Sequence, residues 1–366
     1  MRVGTLLNVP ELVPELANHY FRFKPERRRD YSQTFLNIAR IFLCHRDLRA
    51  SVEELLKAGT RHIEISGDLV FISPEFKSWW KKQLPYLISL QRKDITFSVH
   101  LPQFSGLFID SYSERLHNAA VEDIREIYEF FKDLDPIHVL HLGSERFFRY
   151  TSAHFGPSVG NESKRICTGK RLNWLKAFIV RIAAKKGLQF VTKFITREVI
   201  VANLLESLQQ IQKFMPLEKL CIENLEYTDL DSIMCWIPEE VRVGVTIDTG
   251  HLIIQKWENN KQCFEQFMAR HGHRLRSVHI HEVIRVADVV YNDGTRVQEL
   301  QDHKPLGIDE GILQLRKVLR LIRKVELQHS REIPVVLELY YYPFKVMLDS
   351  VRILKEEIDR LQNDPA

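Results

Sequence analysis

Cysteine is scarce and scattered. The five present (Cys44, Cys167, Cys221, Cys235 and Cys263) are odd in number and never form a CxxC pair. That excludes a disulfide framework or a thiolate zinc knuckle and fits a reducing compartment. No window approaches the roughly 18 uncharged apolar residues of a membrane span. The opening MRVGTLLNVPELVPEL has no basic leader followed by an unbroken apolar core, so no signal peptide and a cytoplasmic location are expected. No GxxxxGKS or GxxxxGKT loop and no GxSxG elbow occurs, which leaves nucleotide hydrolysis and serine hydrolase chemistry without support. With 366 residues, 45% hydrophobic and 27% charged, the chain is neither fibrous nor disordered. Its size suits one large barrel or two ordinary domains.

Charge is unevenly placed. The whole chain carries +4, a weak pull on polyanions. Residues 145–198 hold twelve Lys/Arg against three acids, a net +9, which leaves −5 for the remainder. This segment reads as a basic helical insertion. Its opening, HFGPSVGNES, is loop-like, and its later part has Leu172, Leu175, Ile179 and Ile182 on one side with Lys and Arg opposite. Such a surface suits a phosphorylated or carboxylated substrate, with Lys185 and Lys186 as contacts, a plain helical cap, or a peripheral contact with anionic lipid.

Apolar periodicity alternates along the chain. Short runs rich in Val, Ile and Leu recur at 2–7, 61–66, 95–101, 137–142, 220–224, 241–247, 276–281 and 334–340. They read as buried parallel strands, with stretches of helical spacing between most of them. Eight such units imply right-handed crossovers and predict a single α/β domain over 1–366, a closed (β/α)8 TIM barrel. The basic insertion falls between strands four and five, where a barrel carries it over the C-terminal face.

Polar residues arrive where these strands end. His100 closes the third run and His141 the fourth; Glu223 lies on the fifth, Asp248 and His251 at the end of the sixth, His279 on the seventh and Glu338 on the eighth. His303 sits in a late loop, DHKPLG, and YNDGT before it reads as a hairpin turn. Burying so many acids and imidazoles unpaired would cost several kcal/mol each. A divalent cation at their centre offsets that cost, and the donor set suits zinc, manganese or a related ion. His271 and His273 end a helix, where imidazole complements the dipole.

The series SVHLP, VLHLG, CIENL, TIDTGH, SVHIHE, DHKPLG and VVLEL resembles the xylose isomerase-like TIM barrels, a superfamily that includes endonuclease IV and many sugar-phosphate isomerases and epimerases. The resemblance runs from about Glu64 to Tyr340, outside the basic insertion. In the isomerase and epimerase branch it implies one metal on Glu223, Asp248, His279 and Glu338. Glu223 and Glu338 would then move a proton next to a substrate carbonyl. Arg285 and Asp229 match that branch's substrate contacts in position, and His281 adjoins the site with Glu282, where orienting His279 is a natural role. This places a sugar or sugar-phosphate isomerase first.

The alternative is the endonuclease IV branch, a multi-zinc phosphodiesterase with up to three ions. It implies further ligands at His100, His141, His251 and His303. Its late Asp-x-His pair is broken here, because Gln301 stands at the Asp position and Asp302 comes one residue late. A nucleic acid partner belongs to this alternative alone; Leu107 and Phe108 suit packing on the insertion better than a wedge into the stack, and the net negative charge outside the insertion disfavours an open DNA track.

Overall fold

The computed structural model describes residues 1–7, 48–67, 74–101, 109–110, 114–142, 197–225, 230–253, 262–290, 296–309, 311–339 and 344–363. The stretch 143–196, which holds nearly all of the basic insertion and with it Lys185 and Lys186, lies outside them, as do Leu107, Phe108 and Asp229.

Eight parallel strands close into a ring. They are β1 (Arg2–Leu7), β2 (His62–Ser66), β3 (Thr96–His100), β4 (Ile137–His141), β5 (Leu220–Glu223), β6 (Gly244–Asp248), β7 (Leu275–Ile280) and β10 (Pro334–Leu337). The order around the ring follows the chain, and β1 pairs with both β2 and β10. This is the expected (β/α)8 barrel. An antiparallel hairpin, β8 (Glu282–Val290) with β9 (Arg296–Lys304), stands between β7 and the next helix. The YNDGT stretch expected as a turn, residues 291–295, lies outside the described residues, while residues 302–304 of the expected late loop belong to strand β9.

The helices bury one stripe each. In α1 (Leu48–Ala58) the buried residues include Leu48, Val52 and Leu55, spaced four and three apart. Later in the chain, α8 (Leu315–His329) buries Val318, Leu319, Ile322 and Val325, and the final helix, α9 (Phe344–Asn363), buries Met347, Val351, Leu354 and Ile358. These spacings lay an apolar face on the barrel and leave the charged faces to water. Between them in sequence come α2 (Pro74–Gln91), α3 (Glu114–Phe131), α4 (Arg197–Gln212), α5 (Leu230–Trp236), the single turn α6 (Thr249–Leu252) and α7 (Gln262–His271). No helix among the described residues is long and apolar enough to cross a membrane.

Strand alternation divides the core in two. Ile63, Ile65, Phe97, Val99, Ile222, Val245, Ile247, Val278, Val335 and Leu337 join the apolar cluster. The alternate positions bring polar groups together inside the ring: Glu64 meets Ser98, and Thr246 meets Ser277 at 2.7 Å. Two histidines at the base of the strands are buried neutral. Burial lowers the pKa of His62 to about 4, and burial together with the nearby Lys219 does the same for His138.

Both groups bind fewer protons folded than unfolded below their ordinary pKa near 6.5. Their penalty is absent above that pH and grows as pH falls towards 4, reaching on the order of 3 kcal/mol for each by the size of the shift. The His138→Gln variant is therefore expected to unfold at a lower pH than the parent in an acid titration followed by circular dichroism; an unchanged midpoint would contradict the assignment.

Candidate metal centre

The side chains that close the strands converge at one mouth of the barrel. Glu223, at the end of β5, sits among three imidazoles. Its Oε2 lies 2.8 Å from His141 Nε2 and 3.2 Å from His100 Nε2, and its Oε1 lies 2.8 Å from His279 Nδ1. The same His279 nitrogen is 2.9 Å from Glu338 Oε2. All five residues are buried. Parallel register accounts for the meeting: His141 pairs with Glu223 across β4 and β5, and Asp248 with His279 across β6 and β7.

Asp248 is set by its own turn. Its Oδ1 accepts the backbone N–H of His251 at 2.7 Å and so caps α6. Asn224, the residue after Glu223, grips the Asp248 backbone twice, donating from Nδ2 to its carbonyl at 2.9 Å and accepting its N–H on Oδ1 at 2.8 Å. The IEN and DTGH motifs thus form one clamp, which turns His251 towards the hairpin. There His251 Nδ1 stands 3.4 Å from Asp302 Oδ2, and the His251 and His303 rings are 5.5 Å apart.

The displaced acid of the late pair reaches the site through a bulge. Ile284 pairs with Gln301 and Glu282 with Lys304, so three steps on β9 face two on β8. His303 takes up the extra residue with φ 53°, a left-handed conformation uncommon for a side-chain-bearing residue. Adjacent strand residues ordinarily point to opposite faces. Here Asp302 and His303 both turn to His251, and each offers a ligand atom within 4.8 Å of the others.

His281 fills the space between these two groups of donors. It is fully buried, its ring centroid 4.2 Å from that of His303 and its Nε2 3.7 Å from Asp248 Oδ1. Neither of its ring nitrogens has a hydrogen-bond partner among the described residues. Gly250 makes room for it, since a Cβ there would fall 1.8 Å from His281 Nε2. Glu282 has a different task from the one expected: its carboxylate accepts the Leu313 N–H at 3.0 Å and closes the 311–313 turn. Arg285 is exposed on β8 opposite Leu300. The two helix-end histidines each meet a carboxylate, His271 with Asp231 at 2.9 Å and His273 with Glu239 at 3.2 Å.

Electrostatics at the mouth follow from crowding acids where water is absent. Burial alone would lower the pKa of His279, but Glu223, Glu64 and Glu338 outweigh it and hold the ring well above its ordinary value. Burial likewise opposes charge on His100, yet Glu223 raises it to about 9. For Asp248 burial dominates, with Glu338 and Glu223 adding to it, and its carboxyl is pushed well up. His281 is held well down by burial and by His303 and His251. The carboxylates therefore need positive charge, and protons or a cation must supply it.

These donors fit a divalent ion. Glu223 Oε1, Asp248 Oδ2, His279 Nδ1 and Asp302 Oδ2 are buried polar atoms without an aligned hydrogen bond, although ion-pair partners stand close to most of them. Atoms that face one another without hydrogen-bond alignment suit the ligands of a shared cation. Groupings of ligand atoms within 4.8 Å of one another at this mouth include His100, His141 and Glu223; His100, His279 and Glu338; His251, Asp302 and His303; and His281, His303 and Glu338, which joins the others. Sequence inspection missed Glu64, a buried acid inside strand β2 that contacts His279; its trace in the sequence is a carboxylate in the apolar run HIEIS.

The ring and its mouth define a (β/α)8 barrel with a histidine- and carboxylate-lined site at the C-terminal ends of its strands. The chain belongs to the xylose isomerase-like TIM barrel family, whose model matches residues 52–363. No curated protein sequence matches significantly. Among solved structures, a D-tagatose 3-epimerase-like protein is similar with a TM-score of 0.53 and 18% identity, covering 99% of this chain and 98% of its own. The E. coli 3-keto-D-glucoside 4-epimerase gives 0.51 and 13%, covering 97% and 99%. An L-ribulose 3-epimerase gives 0.51 and 11%, covering 99% and 93%. At these identities the likeness is one of fold.

Gly250 offers a direct check on the packing. Alanine there meets the His281 ring, and overpacking of this kind costs about 1–3 kcal/mol. Urea unfolding of Gly250→Ala is expected to show that loss, and adding His281→Ala is expected to recover most of it. Equal stability of Gly250→Ala and the parent would place the ring elsewhere.

Proposed function

We propose that this chain is a divalent-metal-dependent phosphoester hydrolase that holds more than one ion, zinc being the first candidate and manganese the second. One observation carries this: His251, Asp302 and His303 form a second donor group beside the one around Glu223, joined to it through His281, His303 and Glu338. Proton transfer beside a carbonyl needs one cation and two glutamates. The second group has no task in that chemistry.

The first group would hold its ion or ions through His100, His141, Glu223, His279 and Glu338, with Asp248 beside them, and the second through His251, Asp302 and His303. Glu223 would contribute both of its oxygens, Oε2 facing His141 and His100 and Oε1 facing His279. Divalent ions bound there would supply Lewis acidity to a phosphoryl oxygen and bring the acidity of water near neutrality. The chain's own residues do the rest. Asn224 and the α6 turn orient Asp248, burial keeps bulk water from the donors, and His281, held neutral, offers a nitrogen lone pair towards the substrate. Arg285 on the hairpin and Lys185 and Lys186 on the basic insertion would draw an anionic substrate to the mouth. A nucleic acid is one form such a substrate could take, as the resemblance to the endonuclease IV branch implies.

The isomerase reading keeps one specific support. Glu223 and Glu338 face each other across a single nitrogen of His279, as a pair of acid–base carboxylates around one metal would, and the sugar epimerases named above share the fold.

Two measurements separate the readings. Elemental analysis is expected to find two or three zinc equivalents per chain, falling by about one in Asp302→Ala. The zinc-loaded protein is expected to hydrolyse bis(p-nitrophenyl) phosphate and to leave a ketose in deuterated water unlabelled. One exchangeable ion with deuterium entering the sugar would reverse the assignment.

A further inference from the structure

A line of hydrogen-bonded side chains runs down the inside of the barrel beneath His279. Glu64 Oε2 lies 2.6 Å from Ser98 Oγ, Ser98 Oγ lies 2.9 Å from His62 Nε2, and His62 Nδ1 lies 2.8 Å from Thr96 Oγ1. Glu64, Ser98 and His62 are fully buried, and the line reaches the surface at Thr96. Nothing in the proposed chemistry uses it.

The direction of every bond in this line can be deduced. A carboxylate has no hydrogen to give, so Ser98 donates to Glu64. A hydroxyl has one hydrogen, so Ser98 must in turn accept from the Nε2–H of His62. Burial keeps His62 neutral, with its pKa lowered to about 4, so its Nδ1 is bare and accepts from Thr96. All the donors point from Thr96 towards Glu64. That carboxylate then meets one more ring: His279 Nε2 lies 3.1 Å from its Oε1 and 3.2 Å from its Oε2. With its charge maintained from below, Glu64 can only accept there. A lone pair at that nitrogen would face the carboxylate directly, so Nε2 keeps its hydrogen.

We propose that Glu64 is a positioning residue for the metal centre: it holds the Nε2–H of His279, and so turns Nδ1, the nitrogen facing Glu223 and Glu338, into the atom that binds a divalent ion. This rests on the metal reading above but on neither choice of reaction. A carboxylate behind a ligating imidazole fixes its tautomer and raises its basicity, and losing such a partner typically costs about 10–100-fold in metal affinity.

Two readouts on the full chain test it, and neither is turnover. Zinc competition against a chromophoric chelator is expected to give Glu64→Leu a 10–100-fold weaker affinity than the parent. Proton–nitrogen spectra of protein labelled at histidine are expected to show a downfield, exchange-protected Nε2–H for His279 in the parent, absent in Glu64→Leu. That resonance is sought with and without zinc. A parent that binds no zinc yet shows it sinks the metal reading while upholding the Glu64 contact. Should Glu64→Leu fail to fold, Glu64→Gln replaces it: the amide oxygen still accepts, so the resonance is expected to survive, shifted upfield, with affinity reduced several-fold. Parental zinc affinity in a folded variant at position 64, or an unmoved resonance in Glu64→Leu, overturns the proposal.

Discussion

The centre of this molecule is an imidazole between three buried carboxylates. His279 meets Glu223 and Glu338 through one nitrogen and Glu64 through the other, all within about 3.2 Å and all out of water. One ring cannot neutralise three acids, so the barrel is built around a deficit of positive charge. Much of what surrounds it answers that deficit. His100 and His141 lean on Glu223, Asp248 is pushed towards its neutral form, and a hydrogen bond from Ser98 reaches Glu64. A buried charge of this kind is costly unless close partners, protons or a cation repay its desolvation.

That requirement also explains the unusual filling of the barrel. Interiors of this fold are ordinarily packed with layers of branched aliphatic residues. Here the inward positions of β2, β3, β6 and β7 include His62, Glu64, Ser98, Thr246 and Ser277, joined in hydrogen-bonded sets. Apolar packing is moved outward, to the layer between strands and helices, where Ile63, Val99, Ile222, Val245 and Val278 lie. Stability and chemistry thus occupy opposite faces of the same strands, a division that the two-residue period of a strand makes possible.

How much of this was legible in the sequence follows from the same geometry. Glu223, Asp248, His279 and Glu338 stood out because each belongs to a distinctive motif, CIENL, TIDTGH, SVHIHE or VVLEL, and parallel strands in register carry these motifs to one mouth. Glu64 did not stand out, because HIEIS carries no motif to mark a lone acid and its partner His279 is 215 residues away. Asp302 was seen as a fault in a pattern. Strand alternation would have turned it from the site, and only the extra residue at His303 brings it back, a backbone event with no marker in residue type. Glu282 shows the reverse error: adjacency to His279 in sequence suggested that it orients that ring, while the start of a new strand carries it to Leu313.

The hairpin gives this architecture an asymmetry. His100, His141, Glu223, His279 and Glu338 are anchored in the closed ring, where no strand can shift without dragging its neighbours. Asp302 and His303 hang from a two-stranded arm that is paired only with itself in the described residues, apart from a bridge from Ile284 to Gly311. Insertion or deletion of a single residue in that arm would erase the bulge and withdraw both donors, leaving the barrel whole. Part of this donor cluster is therefore held by the closed ring, and Asp302 and His303 by a ribbon whose register a single residue decides.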